Sequence, residues 1–208
     1  MVNVMKLLRE VYEGKTPYTF VPDSICEQAR AAFDKGVNCI LNTQVRQNGK
    51  LTVWCAQHDE YTLAPAAARA YELPSLSAPE SGNIVLLLMS IPNPSPRIIA
   101  SVDAAVEWFK ENKITGIMRE SFTNSEGKRD YRMVPCSRRD FDCPPLWARF
   151  YSLEDNRPFF CDRDGVKKYN VSEISYERRN GYSWYSSQGL KVIKMYEQWK
   201  EATILYGE

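Results

Sequence analysis

Three arginines in this sequence sit among aromatic rings and carboxylates. Arg69 lies just before Tyr71-Glu72, Arg149 lies inside Trp147-Ala148-Arg149-Phe150-Tyr151, and Arg163 lies inside Asp162-Arg163-Asp164-Gly165. A guanidinium grips a carboxylate through two parallel N–H bonds, and an aromatic plane offers a sugar ring a face to stack on. Together these residue types suit an acidic saccharide. A structural reading stands beside that one: Arg163 pairing with its flanking aspartates in a turn, and Trp147 and Phe150 packed in a core.

A second cluster, Trp54-Cys55-Ala56-Gln57-His58-Asp59-Glu60, places an imidazole, two carboxylates and an amide on a turn after a strand-like run. Loops on rigid scaffolds often carry sites. Asp59 or Glu60 with Glu72 could form the carboxylate pair of a glycoside hydrolase, although spacing in sequence does not set their separation. His58 reads equally as a buried, satisfied imidazole or as a catalytic one. As the single histidine, it excludes a multi-histidine metal site. No glycine-rich phosphate loop, nucleophile elbow or zinc motif occurs, so phosphoryl transfer, acyl-serine and zinc-protease chemistries lack their parts. Six cysteines without a Cys-x-x-Cys pair exclude zinc-ribbon and thioredoxin readings. Cys136 and Cys143 could close a small loop; free buried thiols are an equal alternative.

The elements that must position these groups are helical first and mixed later. Met1 to Tyr12 has Val4, Leu7, Leu8 and Val11 at helical spacing and stops at Gly14. A helix is expected from Asp23, as N-cap, to about Val45, with a stripe of Ile25, Ala29, Ala32, Phe33, Val37, Ile40 and Leu41. Gln47-Asn48-Gly49-Lys50 reads as a turn and Leu51–Cys55 as extended. Three alanines after Pro65 predict a short helix ending near Arg69. Ser81 opens an apolar helix to about Ser90, and Pro94-Ser95-Pro96 opens an amphipathic one. From Ile114 short extended runs alternate with turns, and Asn124 to Asp130 reads as a solvated hairpin tip. Helices over Ser172–Arg179 and from Gly189 to about Thr203 close the chain.

At 208 residues the chain has room for one domain with a sizeable core. Lys+Arg of 27 against Asp+Glu of 26 gives a net charge of +1, which lacks the basic excess of a dedicated nucleic-acid binder. Aromatics at 12%, with 5 Trp and 12 Tyr, suit carbohydrate faces and interfaces as well as buried rings. The most apolar run, Ile84 to Met89, is too short to span a bilayer, so no membrane partner is expected. The N-terminus lacks the basic front and small-residue cleavage site of a signal peptide.

In order and spacing over nearly the whole chain, the sequence resembles the family 10 pectate lyases. The matching segments are Trp54–Glu60, Leu63–Ala66, Ala68–Ser75, Glu80-Ser81, Asn93–Pro96, Trp108-Phe109, Pro144–Tyr151, Asn156–Phe160, Asp162–Gly165 and Arg178–Tyr185. The resemblance implies a mainly α fold, an incomplete α/α toroid with short strands and long loops. It implies calcium-dependent β-elimination of polygalacturonate with Arg69 as the base and Arg149 and Arg163 as clamps on the substrate carboxylate. His58, Tyr71, Arg157, Tyr182 and Trp184, inside the same motifs, are expected to contact substrate. An extracellular or periplasmic location follows from the resemblance.

Two departures carry expectations of their own. Family members have acidic and amide motifs upstream that supply calcium and substrate ligands, and this chain begins where they end. The expectation is a C-terminal part of one catalytic domain, 1–208, with metal ligands unknown and Asp59 and Glu60 as weak candidates. It would be a monomer if complete and prone to self-association through an uncovered flank if not. Asn124 to Asp142 also runs longer than the family pattern before Pro144-Pro145. The alternatives are a polyuronate-binding remnant without catalysis and a glycoside hydrolase using Asp59 and Glu72.

Overall fold

The computed structural model describes residues 1–136 and 143–205. The last six residues of the Asn124–Asp142 insert lie outside that description. Six α-helices and ten short strands occur among the described residues, which bears out a mainly helical chain with short strands. No described helix is long and apolar enough to cross a membrane.

The helical layer follows the apolar periodicity of its sequence. Helix α1 (Val2–Tyr12) packs on α2 (Asp23–Thr43), and α3 (Ala78–Met89), α4 (Pro96–Glu111) and α6 (Gln188–Leu205) pack on one another. In α2 the buried residues are Ala29, Phe33, Val37, Ile40 and Leu41, at steps of three and four. Ile25 and Ala32 of the expected stripe are exposed, and Pro22 rather than Asp23 is the N-cap. In α1 the buried side chain is Met5, while Val4 and Leu7 face outward. Helix α3 starts three residues before Ser81, because Pro79 and Glu80 suit a first turn. In α4, Ser95 accepts a hydrogen bond from the Ile98 amide at 3.3 Å. Three indoles tie this layer together: Trp54 Nε1 donates to Ile40 O (2.7 Å), Trp147 Nε1 to Phe109 O (2.9 Å) and Trp108 Nε1 to Asn156 Oδ1 (2.8 Å). At Gly189 a Cβ would lie 2.5 Å from the Trp147 ring, so α6 can start there only on a glycine.

The strands form the second layer. β1 (Arg46–Gln47) and β2 (Lys50–Leu51) close on Asn48-Gly49, both at positive φ, as the turn signal predicts. β3 (Leu76–Ser77), β7 (Phe150–Tyr151), β8 (Pro158–Cys161) and β9 (Lys167–Lys168) make an antiparallel sheet in that order. β6 (Trp147–Ala148) pairs with β10 (Tyr185–Ser186). Alternation along β7 separates two cores: Tyr151 joins the helical core, and Phe150 joins an aromatic one with Phe159, Phe160, Tyr131 and Trp184. The buried-core reading of Trp147 and Phe150 therefore holds.

β4 (Ile117–Thr123) and β5 (Arg129–Pro135) form a long hairpin in register from Ile117↔Pro135 to Thr123↔Arg129. Its tip is as solvated as expected except at Asp130, which is 3% exposed. Asp130 accepts two hydrogen bonds from Arg179, at 2.9 and 2.7 Å, and one from Asn180 Nδ2 at 2.8 Å. Arg179 and Asn180 belong to α5 (Tyr176–Gly181). The helix expected over Ser172–Arg179 is split by Ser175, which caps α5 instead of continuing a helix from Ser172. Cys136 and Cys143 are joined by a disulfide, with Cα atoms 6.4 Å apart, and Cys26, Cys39, Cys55 and Cys161 are free.

Candidate functional site

Two turns and one short helix bring guanidinium groups around a pair of tyrosines. The helix expected after Pro65 does not form. The segment closes as a tight turn in which Glu72 N donates to Arg69 O (2.8 Å) and Ala68 N to Glu72 O (3.0 Å). The helix propensity of three alanines is a fraction of a kcal/mol per residue and is outweighed by the tertiary partners of this turn. Arg69 Nε donates to Glu72 Oε2 at 3.0 Å, and Nη2 donates to Oε1, making a two-pronged pair. The Tyr182 hydroxyl also donates to Glu72 Oε1, at 2.5 Å.

Arg163 sits on the turn after β8. Gly165 there has φ +71°, and a Cβ on it would lie 3.3 Å from Ala70 O. Only glycine lets this turn lie against the one that carries Arg69. The Arg163 amide donates to Asp162 Oδ1 at 2.8 Å, but its guanidinium does not pair with the flanking aspartates: it donates to Glu177 of α5 through Nε (3.0 Å) and Nη2 (2.6 Å). Asp162 instead accepts from the Ser175 amide at 2.5 Å and so fixes the start of α5. Three guanidiniums then surround the single ring of Tyr71: Arg178 at 4.0 Å, Arg69 at 5.0 Å and Arg163 at 5.5 Å from its centroid. Arg149, between β6 and β7, donates to Glu80 Oε1 at 2.6 Å and stands 4.6 Å from the Tyr182 ring.

The electrostatics follow from these pairs. Its hydrogen bonds with Glu72 hold Arg69 above its ordinary range, and Arg69 in turn holds the Glu72 carboxyl low. Burial, with Glu72 as acceptor, pushes the Tyr182 phenol up to about 12. Glu177 raises Arg163, and Arg163 lowers Glu177. Both shifts favour the protonated guanidinium at Arg69 and Arg163.

The remaining expected residues fall elsewhere. His58 donates through Nδ1 to Leu63 O, 3.0 Å away, and its Nε2 is buried with no partner among the described residues. Burial lowers its pKa. It faces a separate hollow of about 480 Å³ shared with Thr43, Asn83 and Glu80, and Glu80 is the link to Arg149. Arg157 stacks on Tyr169 at 3.6 Å, with no contact to the arginine group. Trp184 is 1% exposed, so it cannot offer a face to a sugar as expected. It packs edge-on against Phe150 and Phe160, and Nε1 donates to Arg178 O at 2.9 Å. Asp59 spends Oδ1 on its own turn, accepting from Tyr61 N, Thr62 N and Thr62 Oγ1. With Asp59 and Glu72 both lowered, neither is placed as the general acid of a hydrolase.

The calcium implied by the resemblance can be tested on the donor set. Among the described residues no group of three or more His, Cys, Asp or Glu gathers to hold a metal ion. Glu72, Glu80 and Glu177 are each engaged by an arginine. A hard cation needs six to eight oxygens, and the described residues do not fit it.

Sequence reasoning missed Arg178, Glu177 and Glu80 as parts of this arrangement. The Arg178-Arg179 pair on one short helix was the available signal, because adjacent helical positions face different neighbours.

Comparison with known proteins bears on this geometry. A family model described as pectic acid lyase matches residues 1–193. Two similar solved structures are a family 10 polysaccharide lyase from Cellvibrio cellulosa and a point mutant of such a lyase from the same organism in complex with trigalacturonic acid. Each is 35% identical, with a TM-score of 0.82, over 95% of this chain. This chain spans 60% and 59% of their respective lengths. No curated protein matches.

Proposed function

The chain belongs to the pectic acid lyase family, and from that premise we propose that it acts on polygalacturonate by β-elimination, with Arg69 as the base. The observation that carries the reading is the convergence of Arg69, Arg163 and Arg178 on Tyr71, next to Arg149 on Tyr182. Such a group of protonated donors suits a polymer bearing one carboxylate per sugar.

In this reading Arg149 and Arg163 neutralise the uronate carboxylate, which acidifies the adjacent C5 proton and stabilises the enolate-like intermediate. Arg69 takes that proton. The C5–H electron pair becomes the C4–C5 double bond, and the O4 leaving group departs and is protonated. A base has to be unprotonated at the moment of transfer, so Glu72 must first release Arg69 and the guanidinium must give one proton to solvent water before it takes the one from C5; water then supplies the proton that the departing O4 gains. The Tyr182 hydroxyl, already donating to Glu72, is placed to hold the carboxylate once it does. Calcium belongs to the proposal on family grounds alone, and no step above runs through it. The incomplete α/α toroid and an extracellular or periplasmic location belong to the proposal as well; the Cys136–Cys143 disulfide supports an oxidising compartment.

One observation favours a second reading, a polyuronate binder without catalysis. The two-pronged Arg69–Glu72 pair favours the protonated guanidinium. Incubation with polygalacturonate, with calcium and with chelator, separates the readings. Elimination gives an ultraviolet-absorbing unsaturated product, hydrolysis gives reducing ends without it, and a binder gives neither. Binding without product would end the lyase reading.

A further inference from the structure

The β4–β5 hairpin carries two arginines in contrasting settings. Arg132 stands opposite Glu120 in the register and donates to it through Nε at 2.6 Å, so that pair closes on itself. Arg119 stands opposite Met133, which offers no carboxylate. Its guanidinium lies over the Tyr131 ring, 3.9 Å from the centroid, and it makes no ion pair among the described residues.

Arg119, Tyr131 and Met133 line a hollow of about 310 Å³ together with Tyr182, Ser183 and Tyr185. That volume falls in the range of small-ligand sites. Arg179 also borders it, but its Nε and Nη2 are spent on Asp130. Burial raises the Tyr131, Tyr182 and Tyr185 phenols, so none of them brings a negative charge near neutral pH. The Arg119 guanidinium is therefore the group that sets the charge of the hollow.

A cation beside aromatic faces is a chemistry that holds a sugar bearing a carboxylate. We propose that this hollow is an ancillary subsite for one uronate unit of a polyuronide chain, with Arg119 on its carboxylate. The proposal rests on the polygalacturonate reading above. Arg119, Tyr131 and Met133 are outside the arginine group around Tyr71, and the latter two fall in the Asn124–Asp142 stretch that runs longer than the family pattern. Tyr182 borders the hollow and bonds Glu72 through its hydroxyl, so the two places share that residue. A polymer that fills both is held twice, whereas a short oligomer fills one.

The test uses Arg119→Met, Arg119→Lys and Met133→Glu in the whole chain, with Arg132→Met as control. It reads thermal midpoint, affinity for trigalacturonate, and affinity for polygalacturonate and its methyl ester. Arg119→Met should bind polygalacturonate about tenfold less tightly, as expected for one lost charge-assisted contact. Trigalacturonate and the esterified polymer should bind as they do to the parent. Arg119→Lys, which keeps the charge without the plane, should recover part of the loss. Met133→Glu offers Arg119 a cross-strand carboxylate and should lower polymer affinity by the same factor. That variant decides the matter if Arg119→Met fails to fold. Arg132→Met removes an equal charge outside the hollow and should leave polymer affinity within about twofold. Equal losses in the Arg119 and Arg132 variants would reduce the effect to net charge and overturn the subsite. Unchanged polymer affinity, or a trigalacturonate loss as large as the polymer loss, would overturn it too. A parent that binds no uronide in any form overturns the polygalacturonate reading beneath the proposal.

Discussion

Arg178 and Arg179 are neighbours on α5 and lead opposite lives. Arg179 reaches the hairpin, where Asp130 accepts from Nε and Nη2 and the Ile174 carbonyl accepts from Nη1 at 2.7 Å. Asp130 has its remaining capacity filled by Asn180 and the Tyr131 amide. Each guanidinium nitrogen of Arg179 and each carboxylate oxygen of Asp130 has a partner, and the side chains are 15% and 4% exposed. Around Tyr71 the same chemistry is left loose. Arg69 and Arg163 pair with Glu72 and Glu177, but both guanidiniums are about three-fifths exposed, at 59% and 60%. What separates the anchor from the arginines proposed to bind substrate is therefore saturation and burial, since the Arg–carboxylate pairing is common to both.

The sharpest way to break that contrast is Arg69→Lys. It should lower elimination by about a thousandfold, within the range for losing a positioned general base, while leaving the melting temperature within about 2 °C. Turnover within a few-fold of the parent would remove Arg69 from the reaction. Asp130→Asn should do the reverse and cost about 3–5 kcal/mol in urea unfolding, because it leaves Arg179 buried and unpaired. A loss below about 1 kcal/mol would mean the anchor is no stronger than a surface pair.

Arg149→Ala and Arg163→Ala come next. Each should weaken polygalacturonate binding about tenfold or more, with a smaller loss on methyl-esterified polymer, which has no charge to clamp. Equal losses on both polymers would assign these arginines to the structural class. The pH dependence is subtler. Asp130 is held well below its ordinary range, chiefly by Arg179, so its contribution is fully present above the unfolded carboxyl value and is lost only in strong acid. Tyr182 is raised, so its contribution is present below about 10 and declines as pH climbs from there to about 12. Stability measured from pH 5 to 9 should be flat with respect to both groups. The smallest effect belongs to Arg132→Ala at the exposed hairpin pair with Glu120, which should shift melting by no more than about 2 °C.

Much of the helical layer was legible, because α2 and α4 write their buried faces in steps of three and four. The arginine–aromatic theme was legible too, since residue types alone announce it. Partners were not. Glu72 meets Tyr182 across 110 residues and Arg149 meets Glu80 across 69, and no local pattern encodes such pairings. A tryptophan in a motif looks the same whether it stacks on a ligand or closes a core, so the burial of Trp184 is not legible in the sequence. The alanine-rich turn at Arg69 defeats its local propensity because helix propensity is weaker than a tertiary hydrogen bond. The charge of Asp130, taken alone, suggests a wet tip, and only its distant partners bury it.

The hairpin that Asp130 secures ends in a turn at Asn124–Lys128, with Gly127 at positive φ and Glu126 and Lys128 bonded to each other in solvent. The latch lies two residues below that tip, and above it only Lys128 is recorded against α5, with its Nζ 5.5 Å from the centroid of the Tyr176 ring. The exposed turn at Gly127 is thus a docking port for grafted sequence: an affinity handle, a fluorophore or a carbohydrate-binding module spliced there would ride outside the fold, with the latch at Asp130 holding the hairpin beneath it.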